Sequence, residues 1–264
     1  MGERNPVTSL SPEDYWTTLE ASSLIPNSWM TREYVELAGL VWTHDDGLWG
    51  WKEWDGPLWV LPPLKSRDDI LCCNFELDQP IWAGFPNVQG SLQTEELDRQ
   101  YMYDSAHFNH LNGNRWATFR KNIRKYPARC GKDLVYRRLQ GEEHSEEIEG
   151  MLIAWSLGKT IQDHETMIKF CFNGKLRWGL FNNGELVGLN VGDENYQHTI
   201  YRYCLDDGSP FLNEYLRYRF YTDPYVQEKG MVNDGGDLDN EQLAKFKRKL
   251  NPEQVMVVYT YPDR

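Results

Sequence analysis

The chain has 264 residues, 40% of them hydrophobic and 26% charged, and carries a net charge of −12. That length supports one large domain or two small ones sharing a core, and the acidity argues against broad, nonspecific binding to nucleic acid or to an anionic membrane surface. Five cysteines with no C-x-x-C pair suit free thiols in a reducing compartment, and no apolar run nears the ~18 residues that would span a bilayer. The expectation is a cytoplasmic protein without membrane insertion.

In chain order, residues 10–25 and 30–38 are compatible with short helices; Pro12-Glu13-Asp14 and the Ser22-Ser23 break resemble helix ends. From residue 40 the pattern changes to short alternating segments broken at Asp45-Asp46-Gly47 and Asp55-Gly56-Pro57, which predicts an antiparallel three-strand meander. Many of the 11 tryptophans fall between Trp42 and Trp82. They read first as large rings filling a β-rich core, and second as a stacking surface for a base or sugar.

Residues 115–138 hold nine Lys or Arg against one acid, Asp133. Arg120, Ile123 and Arg124 recur at helical spacing, so several cations share a face. Two readings stand: a solvated helix face, or an anion site for phosphates, with local nucleic-acid contact through 115–138 as a further expectation.

Beyond this segment, Asn182-Asn183-Gly184 predicts a tight hairpin between strands 177–181 and 185–191, followed by a strand at 198–204. A helix at 210–227, a strand at 230–232, a helix at 241–250 and a strand at 254–261 complete the chain. Between 232 and 241 lies Asn233-Asp234-Gly235-Gly236-Asp237-Leu238, a glycine turn carrying carboxylates at a strand end. Strand meanders in both parts suggest two related α+β halves, 1–110 (tryptophan-rich) and 111–264 (carrying the site).

Two stretches resemble a known family. Tyr103-Asp104, Leu111-Asn112-Gly113 and Phe119-Arg120-Lys121-Asn122-Ile123-Arg124 are similar to one motif of the phosphatidylglycerol lysyltransferase C-terminal-domain family; Asp237-Leu238, Leu243, Lys247 and Pro252 are similar to its late motif. The family's Asp-Leu-Gly reads Asp237-Leu238-Asp239 here, and its Arg-Asn reads Arg120-Lys121. The resemblance implies tandem GNAT-like α+β domains, related to FemXAB-type aminoacyltransferases, with mostly antiparallel central sheets flanked by helices. It also implies an acyltransferase moving an acyl or aminoacyl group to an amine or hydroxyl acceptor. The donor would be an acyl-CoA or an aminoacyl-tRNA, with no tightly bound cofactor. Asp206-Asp207-Gly208-Ser209-Pro210 stands where ordinary GNAT enzymes carry a glycine-rich pyrophosphate loop.

Acyl transfer to an amine needs a deprotonated amine, a polarised carbonyl and a proton for the leaving group. In a GNAT-like fold, backbone N–H groups bind the carbonyl oxygen where two central strands part, and strands 186–191 and 199–204 are the candidate pair. Gly188 and Gly192 would permit close backbone approach or a bulge. Tyr201 and Tyr203, two apart, are expected on one face, either as a proton donor and a binding group or as packing residues. Asp237 is read as the group that orients or deprotonates the amine, or as a helix cap. Asn233 is a carbonyl-binding amide or a turn residue, and Lys247 a substrate-anion partner or one of a solvated basic run. Arg120, Asn122 and Arg124 are the candidate donor-binding residues. His107 and His110 lack further ligands at convincing spacing, so no metal is expected. Two other functions remain open: an N-acyltransferase acting on a modified DNA base, and a ligand-binding member that has lost catalysis.

Overall fold

The computed structural model describes residues 11–21, 28–29, 31–45, 48–52, 58–60, 81–83, 95–130, 133–157, 164–237 and 240–261. The first half contributes α1 (Pro12–Ala21), α2 (Arg32–Ala38), β1 (Val41–Asp45), β2 (Leu48–Lys52), β3 (Leu58–Val60), β4 (Ile81–Ala83) and β5 (Glu95–Asp104). After it come α3 (His107–His110), a 3-10 turn at Asn114–Trp116, α4 (Ala117–Cys130), β6 (Leu134–Arg138), α5 (Ser145–Ser156) and α6 (His164–Asn173). The chain finishes with β7 (Leu176–Asn182), β8 (Glu185–Glu194), β9 (Thr199–Asp206), α7 (Leu212–Tyr221), α8 (Pro224–Lys229), β10 (Met231–Asn233), α9 (Glu241–Lys249) and β11 (Gln254–Tyr261).

The eleven described strands form one mixed sheet in the order β1-β2-β3-β4-β11-β5-β10-β9-β8-β7-β6. Pairing is antiparallel except at β3–β4 and β9–β10. Helices cover both faces. One face buries Tyr103, Phe108, Trp116, Ile123, Leu216 and Phe220 under α3, α4 and α7. The other buries Trp16, Tyr34, Ile148, Phe170 and Val191 under α1, α2, α5 and α6. With helices on both sides, β7 is buried along nearly its whole length, Arg177 included.

Local chemistry sets the boundaries. Thr31 caps α2 by accepting from the Tyr34 amide, and Gly39 ends it at φ 73°. Asn183 and Gly184 both take positive φ (51° and 85°) in the β7–β8 hairpin, as an Asn-Gly two-residue turn requires. The helix expected over 210–227 is two helices, α7 and α8. The break falls at Thr222 and Asp223, where the Asp223 carboxylate caps Tyr225 and Pro224 opens the new helix.

Trp42 and Trp51 pack edge-on at 5.1 Å and surround Tyr15 beneath α1, so these two rings fill a core. The front segments 61–64, 68–70 and 72–73 lie outside the described residues. No described helix is long and apolar enough to cross a membrane.

Candidate active site

β9 and β10 run parallel but pair at only two positions, Val232 with Thr199 and Asn233 with Ile200. The reason lies in the next residues. Asp234 donates its amide to the Tyr101 carbonyl (2.9 Å), and Tyr101 donates to the Gly235 carbonyl (3.2 Å). The 234–235 backbone thus stays with β5 and leaves β9. From Tyr201 onward β9 therefore has no ladder with the 234–237 turn, and the two segments part as strands.

β9 is irregular at the same level. Val191 pairs with Tyr203 and Gly192 with Tyr201, so Arg202 has no partner position on β8. This one-residue bulge corrects two expectations. Tyr201 and Tyr203 do not share a face: Tyr201 packs in the α7-side core and Tyr203 in the opposite one, because an extra residue inverts the period-two alternation. Nor do 186–191 and 199–204 part from each other; β8 and β9 pair from Gly188–Asp206 to Glu194–Thr199 apart from the bulge, and the strands that part are β9 and β10. Gly188 and Gly192 do allow close approach, since a Cβ there would meet Leu216 at 2.6 Å and Phe220 at 3.0 Å on α7.

The 234–237 turn is held from below by buried charge. Arg217 on α7 forms an ion pair with Asp234, which also accepts from the Tyr221 hydroxyl. The Arg217 guanidinium lies between the rings of Tyr201 (4.6 Å) and Phe246 (5.3 Å). Lys247 donates to three successive carbonyls, Asp234 (2.5 Å), Gly235 (3.2 Å) and Gly236 (2.6 Å), and sits 3.3 Å from an Asp234 carboxylate oxygen. Burial, reinforced by Arg217, pushes the Lys247 pKa well below the usual lysine value. Three carbonyl acceptors nevertheless need all three hydrogens of an ammonium, so the turn holds the charged form. With its side chain 4% exposed, Lys247 fastens the turn and offers nothing to a substrate anion.

Asn233 is fully buried; its amide donates to Gln100 and its oxygen accepts from the Gly235 amide. It therefore forms the turn. Asp237 does not cap α9, because Asn240 does so by accepting from Gln242 and Leu243. Asp237 instead accepts a 2.6 Å bond from the Tyr101 hydroxyl. Burial first, and that carboxylate second, raise the Tyr101 pKa, so the phenol keeps its proton. Beneath Gly236 lies Asp98, also raised by burial. Leu238 and Asp239 lie outside the described residues.

The basic segment behaves differently from the expectation. Arg120 donates to the carbonyls of Leu111 and Gly113 (2.8 Å to the latter), so it clamps the Leu111-Asn112-Gly113 turn, where Leu111 and Gly113 take positive φ. Asn122 donates to Glu214 on α7 at 3.1 Å, and Arg124 is exposed. Two other cations of this segment converge on one ring. Lys125 (4.3 Å) and Arg129 (5.1 Å) lie over the Phe211 ring, immediately before the first turn of α7. Tyr201 donates to Asn190 at 2.9 Å from full burial. His107 bonds Glu253 at 3.0 Å, and no group of three or more His, Cys, Asp or Glu able to hold a metal occurs among the described residues.

Sequence reasoning missed Arg217, Tyr221 and Tyr101. Arg217 and Tyr221 are four apart on α7 and Tyr101 alternates with Tyr103 on β5; those spacings place each residue on an inward face, but not opposite Asp234 or Asp237.

No family model matches the chain, and no curated protein does. Solved structures do. A conserved protein of unknown function from Bacteroides thetaiotaomicron VPI-5482 is similar over 97% of this chain and 98% of its own, at 16% identity and a TM-score of 0.73. L-PGS from Bacillus licheniformis matches over 99% and 95% (14% identity, TM-score 0.65), and FemX over 96% of both chains (10% identity, TM-score 0.59). The resemblance read from the two motifs is thus met by likeness in three dimensions, and what it establishes is the fold: an α+β architecture similar to that of L-PGS and FemX along nearly the whole chain.

Proposed function

We propose that the chain is an acyl- or aminoacyltransferase whose reaction takes place at the opening between β9 and β10. The observation that carries this reading is the parting of two parallel strands beside a bulge. Strand backbone released from its ladder offers N–H groups to a carbonyl oxygen as charge develops there. Fold similarity to L-PGS and FemX supports it.

In this reading the donor's acyl arm enters the gap and its phosphates rest at the start of α7. Helix amides there favour anions, and Lys125 and Arg129 converge beside Phe211. Asp237 takes the acceptor's proton, with the Tyr101 hydroxyl orienting the carboxylate. Tyr203, half-buried next to the bulge, is the candidate proton donor to the leaving group. Asn233 and Lys247 serve by fixing the turn.

The donor is a phosphate-bearing ester or thioester, an acyl-CoA or an aminoacyl-tRNA. The test incubates the purified protein with each donor and a panel of amines, and measures free thiol or deacylated tRNA together with the coupled product by mass spectrometry. Transfer from one donor, reduced at least tenfold by Lys125→Glu with Arg129→Glu, supports the reading. Absence of both binding and transfer with either donor sinks it.

A further inference from the structure

On the sheet face opposite α7, a cavity of about 320 Å³ lies between α1, α2 and the ends of β7 and β8, a size suited to a small ligand. Trp16 and Leu19 form its apolar wall, and Glu33 and Asp193 its acidic floor. Most charges around it are matched. Arg32 pairs with Glu13 at 2.8 Å, Lys229 with Glu194 at 3.0 Å, and Asp193 with Arg202 at 2.6 Å while also accepting from Thr31.

Glu33 is the exception. It is only 7% exposed, yet it forms no ion pair among the described residues. One of its oxygens accepts from the Lys175 backbone amide at 2.6 Å. Its charged neighbours are the Asp193 carboxyl, a like charge, and Lys175, which attracts it without forming an ion pair among the described residues. A buried acid that the cations lining the cavity do not pair costs stability unless it is protonated or something positive sits against it.

We propose that this cavity binds a primary amine as its ammonium ion, with the Glu33 and Asp193 carboxyls as acceptors and Trp16 and Leu19 against the alkyl part. Resting on the transferase reading, the bound amine is the acceptor. Arg202 ties the two places together: its backbone is the bulged residue of β9 and its guanidinium reaches the cavity floor at Asp193.

Burial, with Asp193 as a further cause, holds the Glu33 pKa at about 7. Lys175, just before β7, acts in the opposite direction, and Glu20, Glu194, Arg32 and Lys229 complete the charged surroundings. An ammonium entering the site displaces the proton held on Glu33. The balance is one ammonium bound and up to one proton released to solvent.

The test is calorimetric titration with n-butylamine hydrochloride, without any donor, in phosphate and in ACES, which is not a primary amine and buffers at both pH 6 and pH 7. These buffers differ in ionisation heat, so the difference in binding heat counts protons. Expected are release of roughly half a proton at pH 7 and more at pH 6, and at least tenfold weaker binding with no proton release in Glu33→Gln. Absence of amine binding overturns the proposal, as does binding with equal heats in the two buffers. The wild-type buffer comparison decides the matter even if Glu33→Gln fails to fold. Amine binding without transfer from any donor would fail the transferase reading alone. Transfer with an unchanged amine KM in Glu33→Gln would fail this one alone.

Discussion

At the scale of single residues, burial rather than position in a motif decides what each group can do. Asp237 and Lys247 both belong to the late motif, yet one bonds a phenol and the other is enclosed by carbonyls. Asp237→Asn keeps an oxygen for Tyr101 and should leave the melting temperature within about 2 °C, since it removes no packing. Transfer should fall at least a hundredfold if Asp237 accepts the proton. A stable variant with full activity would remove it from the chemistry. Lys247→Met should instead act on stability, costing about 3 kcal/mol by leaving three turn carbonyls without a donor. His198 gives a pH signature of its own. Burial first, and Arg202 second, lower its pKa from 6.5 to about 4. The folded state therefore keeps the ring neutral while the unfolded chain takes up a proton below pH 6.5. Stability from this group is complete above pH 6.5 and is lost as pH falls to 4, amounting to about 3 kcal/mol. Urea midpoints at pH 7 and 4.5 should differ clearly less in His198→Gln than in the natural protein.

At the scale of elements, much was legible and one class of feature was not. The β7–β8 hairpin follows from Asn183-Gly184. The bulge at Arg202 left no such mark, and because it inverts face parity it misplaced Tyr203 relative to Tyr201. Lys247 could have been placed: Ala244, Lys247 and Leu250 are the buried positions on and just after α9, at helical spacing. The run Lys245-Phe246-Lys247-Arg248-Lys249 hid that phase behind its charge. The element most sensitive to change is the 234–237 turn. Gly236→Ala would drive a methyl group into the Asp98 carboxyl, and the expected cost is about 2 kcal/mol with loss of transfer. Arg217→Ala removes one partner of a buried ion pair and should cost about 3 kcal/mol. Lys247 and the Tyr221 hydroxyl still face Asp234, which keeps the figure at the low end of its range. Chemical denaturation of both variants checks the order.

At the scale of the molecule, the two halves expected from the sequence share one sheet. β11, made from residues 254–261, lies between β4 and β5, and β5 in turn pairs with β10. The last strand of the chain thus completes the sheet of the first half, through seven registered pairs with β5. Neither half can unfold without stripping backbone bonds from strands of the other, and stripped strands leave donors and acceptors unpaired. The expectation is one cooperative transition rather than two. Eight of the 11 tryptophans precede residue 110, so fluorescence reports mainly on the first half, whereas far-ultraviolet circular dichroism reports on the helices of both. Coincident melts by the two probes would confirm a single unit. Separated midpoints would mean that the β5–β10 seam, only three pairs long, is where the sheet divides. That seam also positions the 234–237 turn, so a divided molecule should lose transfer at the lower of the two midpoints.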